Sequence, residues 1–141
     1  MKKDGPIVII EDDPEDQELL TEVFKELDYP NEVIFFGDGD AAFEYLVSST
    51  DQPFLIISDI NLPKLDGFQL RDKVHYNEQL RLKCIPYIFF TTTTQQQHVI
   101  DAYSRSAQGF FTKPSSFKEI VRVMKNIVEY WKDCQSPNVI V

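Results

Sequence analysis

The run Phe54-Leu55-Ile56-Ile57-Ser58-Asp59 constrains the fold of this chain more than any other feature. It is continuously apolar, rich in β-branched residues and closed by the turn Ile60-Asn61-Leu62-Pro63-Lys64-Leu65-Asp66-Gly67. Such a run reads as a strand covered on both faces. An unpaired carboxylate is costly to bury, so Asp59 belongs at the strand's end, paired or facing a cation. Two further runs end the same way. Ile7-Val8-Ile9-Ile10 leads into Glu11-Asp12-Asp13, and Pro86-Tyr87-Ile88-Phe89-Phe90 leads into Thr91. In an open parallel sheet, ligands and chemistry gather at the carboxyl ends of the strands.

Strand-like and helix-like segments alternate along the whole chain. Strands are expected near 6–10, 32–36, 54–58, 87–90 and 109–112. Helices are expected near 14–27, 40–47, 67–74 with an extension toward Leu80, 95–107 and 117–132. The first helix carries Leu19, Leu20, Val23, Phe24 and Leu27 at helical spacing. The last presents Phe117, Ile120, Val121, Met124, Ile127, Val128 and Trp131 as its core stripe, with Val123 and Tyr130 off it. Five β-then-α units in series imply an α/β chain with a mostly parallel, doubly wound sheet of five strands.

At 141 residues the chain suits one domain, expected over 5–132, followed by a short tail over 133–141 and no output domain. Its net charge of −9 argues against a direct nucleic-acid surface. No apolar run reaches membrane-spanning length, so no membrane insertion is expected. The short stretch Ile7 to Ile10 behind Met1-Lys2-Lys3 ends in acids and does not read as a signal peptide, so export is not expected. Cys84 and Cys134 have no metal-type spacing and fit a reducing cytoplasm.

The three consecutive acids divide by role. Asp13 precedes Pro14, the preferred pairing of N-cap and first helical residue, so Asp13 reads as a cap. Glu11 and Asp12 remain at the strand end, near the expected place of Asp59. Carboxylates converging in one crevice repel one another unless a cation joins them. A few hard oxygen ligands suit Mg²⁺. Surface solvation accounts for Asp16, Glu18, Glu22 and Glu26.

Glu11-Asp12, Asp59 followed by Asn61, Pro63 and Gly67, then Thr91, then Lys113-Pro114 occur in that order, each at a strand end. This ensemble resembles the receiver domain of two-component response regulators, over roughly residues 5–132. The resemblance implies a flavodoxin-like fold of five βα units with strand order 2-1-3-4-5. It implies that Asp59 accepts a phosphoryl group from a sensor histidine kinase. Asp12, Asp59 and the Asn61 carbonyl would ligate Mg²⁺, with Glu11 holding it through water. Thr91 and Lys113 would each meet a phosphoryl oxygen, and Phe110 would occupy the position of a switch aromatic. Family members usually have a cis bond at the Lys-Pro step, which proline permits. A first acid that is Glu occurs among stand-alone members, some of which serve phytochrome-type kinases.

The leading expectation is therefore a phosphoacceptor switch rather than an enzyme, signalling by protein–protein contact. The face formed by the fourth helix, fifth strand and last helix is the expected contact surface, for a partner or a second copy of the chain. Passing phosphate onward in a relay is the alternative within the family. A haloacid-dehalogenase-type phosphatase would want an aspartate where Asn61 stands. A pseudo-receiver would lack competent site residues, and flavodoxin-type cofactor binding would want Ser, Thr and Gly where Glu11-Asp12-Asp13 stand.

Overall fold

The computed structural model describes residues 1–137. The last four residues of the expected tail, 138–141, lie outside the described residues. In chain order the elements are β1 (Ile7–Ile10), α1 (Pro14–Leu27), β2 (Val33–Phe36), α2 (Gly39–Ser48), β3 (Leu55–Ser58), α3 (Gly67–Tyr76), α4 (Glu78–Leu82), β4 (Tyr87–Thr91), α5 (Gln96–Ser104), β5 (Gly109–Thr112) and α6 (Phe117–Asp133). The strands form one parallel sheet in the order β2-β1-β3-β4-β5.

Strand alternation divides the sheet's side chains between two cores. Ile7, Ile9, Leu55, Ile57, Ile88 and Phe90 point to the side covered by α1 and α6, where they meet Leu20, Val23, Met124 and Val128. Val8, Ile10, Ile56, Tyr87 and Phe89 point to the other side, where Leu46, Leu70, Val74 and Ala102 cover them. Burial on both faces is why β1, β3 and β4 read as unbroken apolar runs. β2 and β5 are the sheet edges, and β2 is half-buried along its length.

In helix bounds and burial the structure differs from the sequence reading in four places. The expected third helix stops at Tyr76, because Asn77 leaves the helical region and its side chain accepts from the Leu80 amide at 3.0 Å to start α4. The helix expected over 95–107 ends at Ser104, and Ser106 follows in the left-handed conformation (φ 61°). Val123 is in the core at 7% exposure, not on the outer face. Phe117, at the start of α6, is exposed instead of buried. No helix among the described residues is long and apolar enough to cross a membrane.

Gly67 opens α3 against the end of β3. A Cβ there would stand 2.2 Å from the Asp59 carbonyl oxygen and 2.9 Å from Ile60 Cα, both backbone atoms that cannot swing aside. The close approach lets the Gly67 amide donate to the Ile60 carbonyl at 2.8 Å and its carbonyl accept from the buried Tyr87 hydroxyl at 3.1 Å. Gly67→Ala is expected to cost about 3 kcal/mol, the upper end for forcing atoms into a packed site. Urea denaturation measures it; a cost below about 0.5 kcal/mol would show that this turn yields freely.

Candidate functional site

The site is assembled by register. Ile10 pairs with Ser58, so the residues that follow, Glu11 and Asp59, emerge side by side above β1 and β3. The Asp59 amide donates to the Ile10 carbonyl at 3.0 Å and locks that arrangement. Thr91 pairs with Thr112 at the far end of the sheet, and the Lys113 amide donates to the Thr91 carbonyl at 2.7 Å. Lys113 thus leaves β5 pointing its chain back over the strand ends.

Its ammonium is the centre of the site. Lys113 Nζ donates to Asp59 Oδ2 at 2.9 Å, to Asp16 Oδ2 at 3.1 Å, and to Glu11 Oε1 through a short contact. The Lys113, Glu11 and Asp59 side chains are only 10%, 4% and 12% exposed. These pairs are therefore largely shielded from water, and breaking one leaves an uncompensated charge. Burial holds the Glu11 carboxyl above its ordinary range, and the Lys113 hydrogen bond opposes that only in part. For Lys113, burial alone would favour the neutral amine, but the hydrogen bonds to Glu11 and Asp59 prevail and raise its pKa. The ammonium is charged throughout the physiological range.

The remaining expected residues fall at the same end of the sheet. Asp59 Oδ1 accepts from the Ile60 amide at 2.7 Å, leaving the carboxylate oriented at the strand end. Thr91 is fully buried; its hydroxyl oxygen accepts from the Thr93 amide at 3.5 Å and makes no hydrogen bond to Asp59. Asp12 is exposed, and its carboxylate makes no hydrogen bond or ion pair among the described residues. Asn61 is exposed in the loop after β3. The Lys113–Pro114 peptide is trans, unlike the usual bond at this step in the family it resembles.

Asp13 has the capping role expected of it: its Oδ1 accepts from the Glu15 amide at 2.8 Å at the start of α1. Asp13→Ala is expected to lower stability by about 1 kcal/mol, the ordinary cost of a lost cap, measured by urea denaturation. Divalent-cation affinity should stay within about twofold, since a cap mutation removes no ligand. A collapse of cation binding in this variant would shift the acidic register by one residue.

Asp16 corrects the sequence reading. It was expected to be one more solvated acid on α1, yet it is the third partner of Lys113. The site therefore holds four carboxylates, from Glu11, Asp12, Asp16 and Asp59, against one ammonium. Among the described residues no three Asp, Glu, His or Cys side chains are gathered into a ready-made metal centre. The donors do fit a hard cation. Asp12 offers an unengaged carboxylate, Asp59 adds one shared with Lys113 and the Ile60 amide, and the excess negative charge remains unbalanced.

On the other side of Lys113, Phe110 and Phe111 point to opposite faces of β5, as alternation predicts. Phe110 is half-buried and packs toward Phe89, with ring centroids 6.2 Å apart. Together with the exposed Tyr103 and Tyr130, it lines a cavity of about 450 Å³ between α5, β5 and α6. Three of the four residues expected on this face are there; Val123 is not.

The chain is similar in sequence and in fold to known proteins. The response regulator receiver domain model matches residues 7–125. The response regulator Rcp1 of Synechocystis sp. is 31% identical over 130 residues, spanning 89% of this chain and 87% of that protein. The crystal structure of the phosphorylated cyanobacterial phytochrome response regulator RcpA superposes with a TM-score of 0.85 at 26% identity, covering 94% of this chain and 98% of that one. The Mn²⁺-bound form of Rcp1 gives a TM-score of 0.82 at 29% identity, with 94% and 99% covered.

Proposed function

The chain belongs to the response regulator receiver family, the phosphoacceptor switches of two-component signalling, and from that premise we propose that Asp59 is its phosphoacceptor. The observation that carries the assignment is the Lys113 ammonium, held between Asp59 and Glu11 at the carboxyl ends of the strands. A carboxylate held by a lysine that can turn to an incoming oxygen anion, with further acids beside it to share a cation, is arranged to receive a phosphoryl group.

In the proposed transfer an Asp59 carboxylate oxygen forms a bond to phosphorus as the bond to the donor breaks, the donor being a phosphohistidine of a sensor histidine kinase. Little covalent help is needed; positioning and neutralisation of the equatorial oxygens carry the rate. Lys113 moves its hydrogen bond from the Asp59 carboxylate to a phosphoryl oxygen. The Thr91 hydroxyl, freed from the Thr93 amide, donates to another. Asp16 keeps a partner near Lys113 during that exchange. The cation is proposed to be Mg²⁺, held by Asp12, Asp59, the Asn61 carbonyl and, through water, Glu11, and when bound it neutralises oxygen charge in the transfer.

The receiver unit is taken as residues 5–132. Its output is assigned to the α5–β5–α6 face around Tyr103, Phe110 and Tyr130, read by a partner protein or a second copy of the chain. The free thiols Cys84 and Cys134 accord with a cytoplasmic setting. Incubation with acetyl phosphate tests the reading. Intact mass should show one phosphoryl adduct with Mg²⁺ and none with chelator. Asp12→Ala should demand a several-fold higher Mg²⁺ concentration. An adduct that forms equally well without divalent cation would remove the proposed metal from the account.

A further inference from the structure

At the opposite pole from Asp59 lies a cavity of about 330 Å³ between the end of α3, α4 and the end of α6. Its walls include Ile85 and Pro86, just before β4, and Gln108, just before β5, so it opens at the amino ends of the strands. Arg71, His75 and Arg81 line it, and no aspartate or glutamate does. In a chain of net charge −9 that is an unusual concentration of positive charge.

Arg71 is the critical residue. It is 4% exposed and makes no salt bridge among the described residues. Its Nε donates to the Arg105 carbonyl at 2.9 Å and its Nη2 to the Ser106 carbonyl at 2.7 Å. The Tyr87 ring, 5.4 Å from its guanidinium carbon, gives a further partial counter-charge. The Asp72 carboxylate also acts on it but is already paired with Arg105, so carbonyl dipoles, a ring face and a shared acid are incomplete compensation for a buried cation, which is normally paired with an anion of its own. Nη1 donates no hydrogen bond among the described residues. His75 Nδ1 lies 3.5 Å from Arg71 Nη2; accepting from it places the imidazole proton on Nε2 as a further donor. The Arg81 guanidinium, on an exposed residue of α4, makes no ion pair among the described residues. Val74, Leu80, Ile85 and Trp131 supply an apolar part of the wall, and Gln108 and Gln135 add neutral polar groups.

We propose that this cavity binds a small organic carboxylate, its anionic end on Arg71 and Arg81 and its apolar body against Leu80, Ile85 and Trp131. Arg71 would meet one carboxylate oxygen through its unengaged Nη1, and the unpaired Arg81 guanidinium would meet the carboxylate beside it. The same Arg71 anchors the carbonyls that end α5, so occupancy is linked to the helix that borders the output face.

Trp131 is the only tryptophan of the chain and lines both this cavity and the one beside Tyr130, so its emission reports binding and the arginine variants assign the change to this site. The full chain, in chelator and at matched ionic strength, is titrated with sodium hexanoate, sodium phosphate or sodium chloride. Hexanoate should give a saturable change in Trp131 emission, with phosphate weaker and chloride inert. Arg81→Gln, at an exposed position that leaves the fold intact, should weaken hexanoate binding by about tenfold, as expected for one charge-assisted contact. Arg71→Lys, which keeps the charge but loses Nη1 as a donor, should weaken it too. Asp59→Asn should leave it unchanged, which separates this site from phosphoryl transfer. No saturable response, equal response to phosphate, or an unaltered affinity in Arg81→Gln would overturn the assignment.

Discussion

Replacing Lys113 with methionine (Lys113→Met) is expected to lower the unfolding free energy by about 3 kcal/mol at neutral pH and to raise Mg²⁺ affinity by about tenfold or more. Methionine keeps the length and apolar stem of lysine, so little packing is lost. What is lost is the one cation among Glu11, Asp16 and Asp59. Of these, Glu11 is fully buried and cannot recover hydration without opening the strand ends. A divalent cation meets less competition in the variant, so added MgCl₂ should restore part of the stability.

The pH dependence has a definite sign. Glu11 holds its proton more tightly in the folded chain than in the unfolded one, because burial raises its pKa. Its contribution to stability is thus fully present below the ordinary glutamate range and is lost as pH rises through the raised folded value. Lys113 is also raised, so its contribution persists from acid up to the ordinary lysine range and is lost only in strong alkali. Without Lys113 the Glu11 effect should grow. The deficit of Lys113→Met should therefore shrink as pH falls from 7 toward 5, as carboxylates take up protons. Urea denaturation across that range, with and without MgCl₂, measures both effects. A variant as stable as the parent at pH 7, with unchanged cation affinity, would mean the ammonium does not hold these acids together.

The parts of this molecule that were legible in the sequence are those governed by local pattern. Runs such as Ile7–Ile10 and Leu55–Ser58 declare themselves because both faces of a central strand are buried. Asp13 declares itself because a cap is decided within three residues. Asp16 did not, since nothing local distinguishes it from Glu18 or Glu22. Its role depends on Lys113, 97 residues away, which returns over the strand ends only after the sheet is assembled. Val123 was misplaced because the arc that α6 buries is wider than the stripe drawn for it. It includes Ile120, Val123, Met124, Ile127 and Val128, spacings of three and four that all face α1 and the sheet. Phe117 fits the same period, yet it is exposed in the structure. Arg71 was equally hidden, for its partners are carbonyls at the end of a different helix. Burial of an arginine leaves no periodic trace.

Asp59→Asn puts the central claim to its most direct test. The substitution is nearly isosteric, and Lys113 keeps Glu11 and Asp16 as partners, so the fold should survive; circular dichroism verifies this. What the variant lacks is the carboxylate oxygen that would bond to phosphorus, and neither Asp12 nor Glu11 replaces it. Asp12 is exposed, and Glu11 is buried beneath Lys113. The deciding measurement is intact mass, followed by peptide mapping, after incubation with acetyl phosphate and Mg²⁺. The parent chain should carry a single phosphoryl group on the peptide containing Asp59, and the folded Asp59→Asn protein should carry none. An adduct of similar yield in the variant, or one mapping to another acidic residue of the parent, would contradict the assignment of Asp59 as the phosphoacceptor.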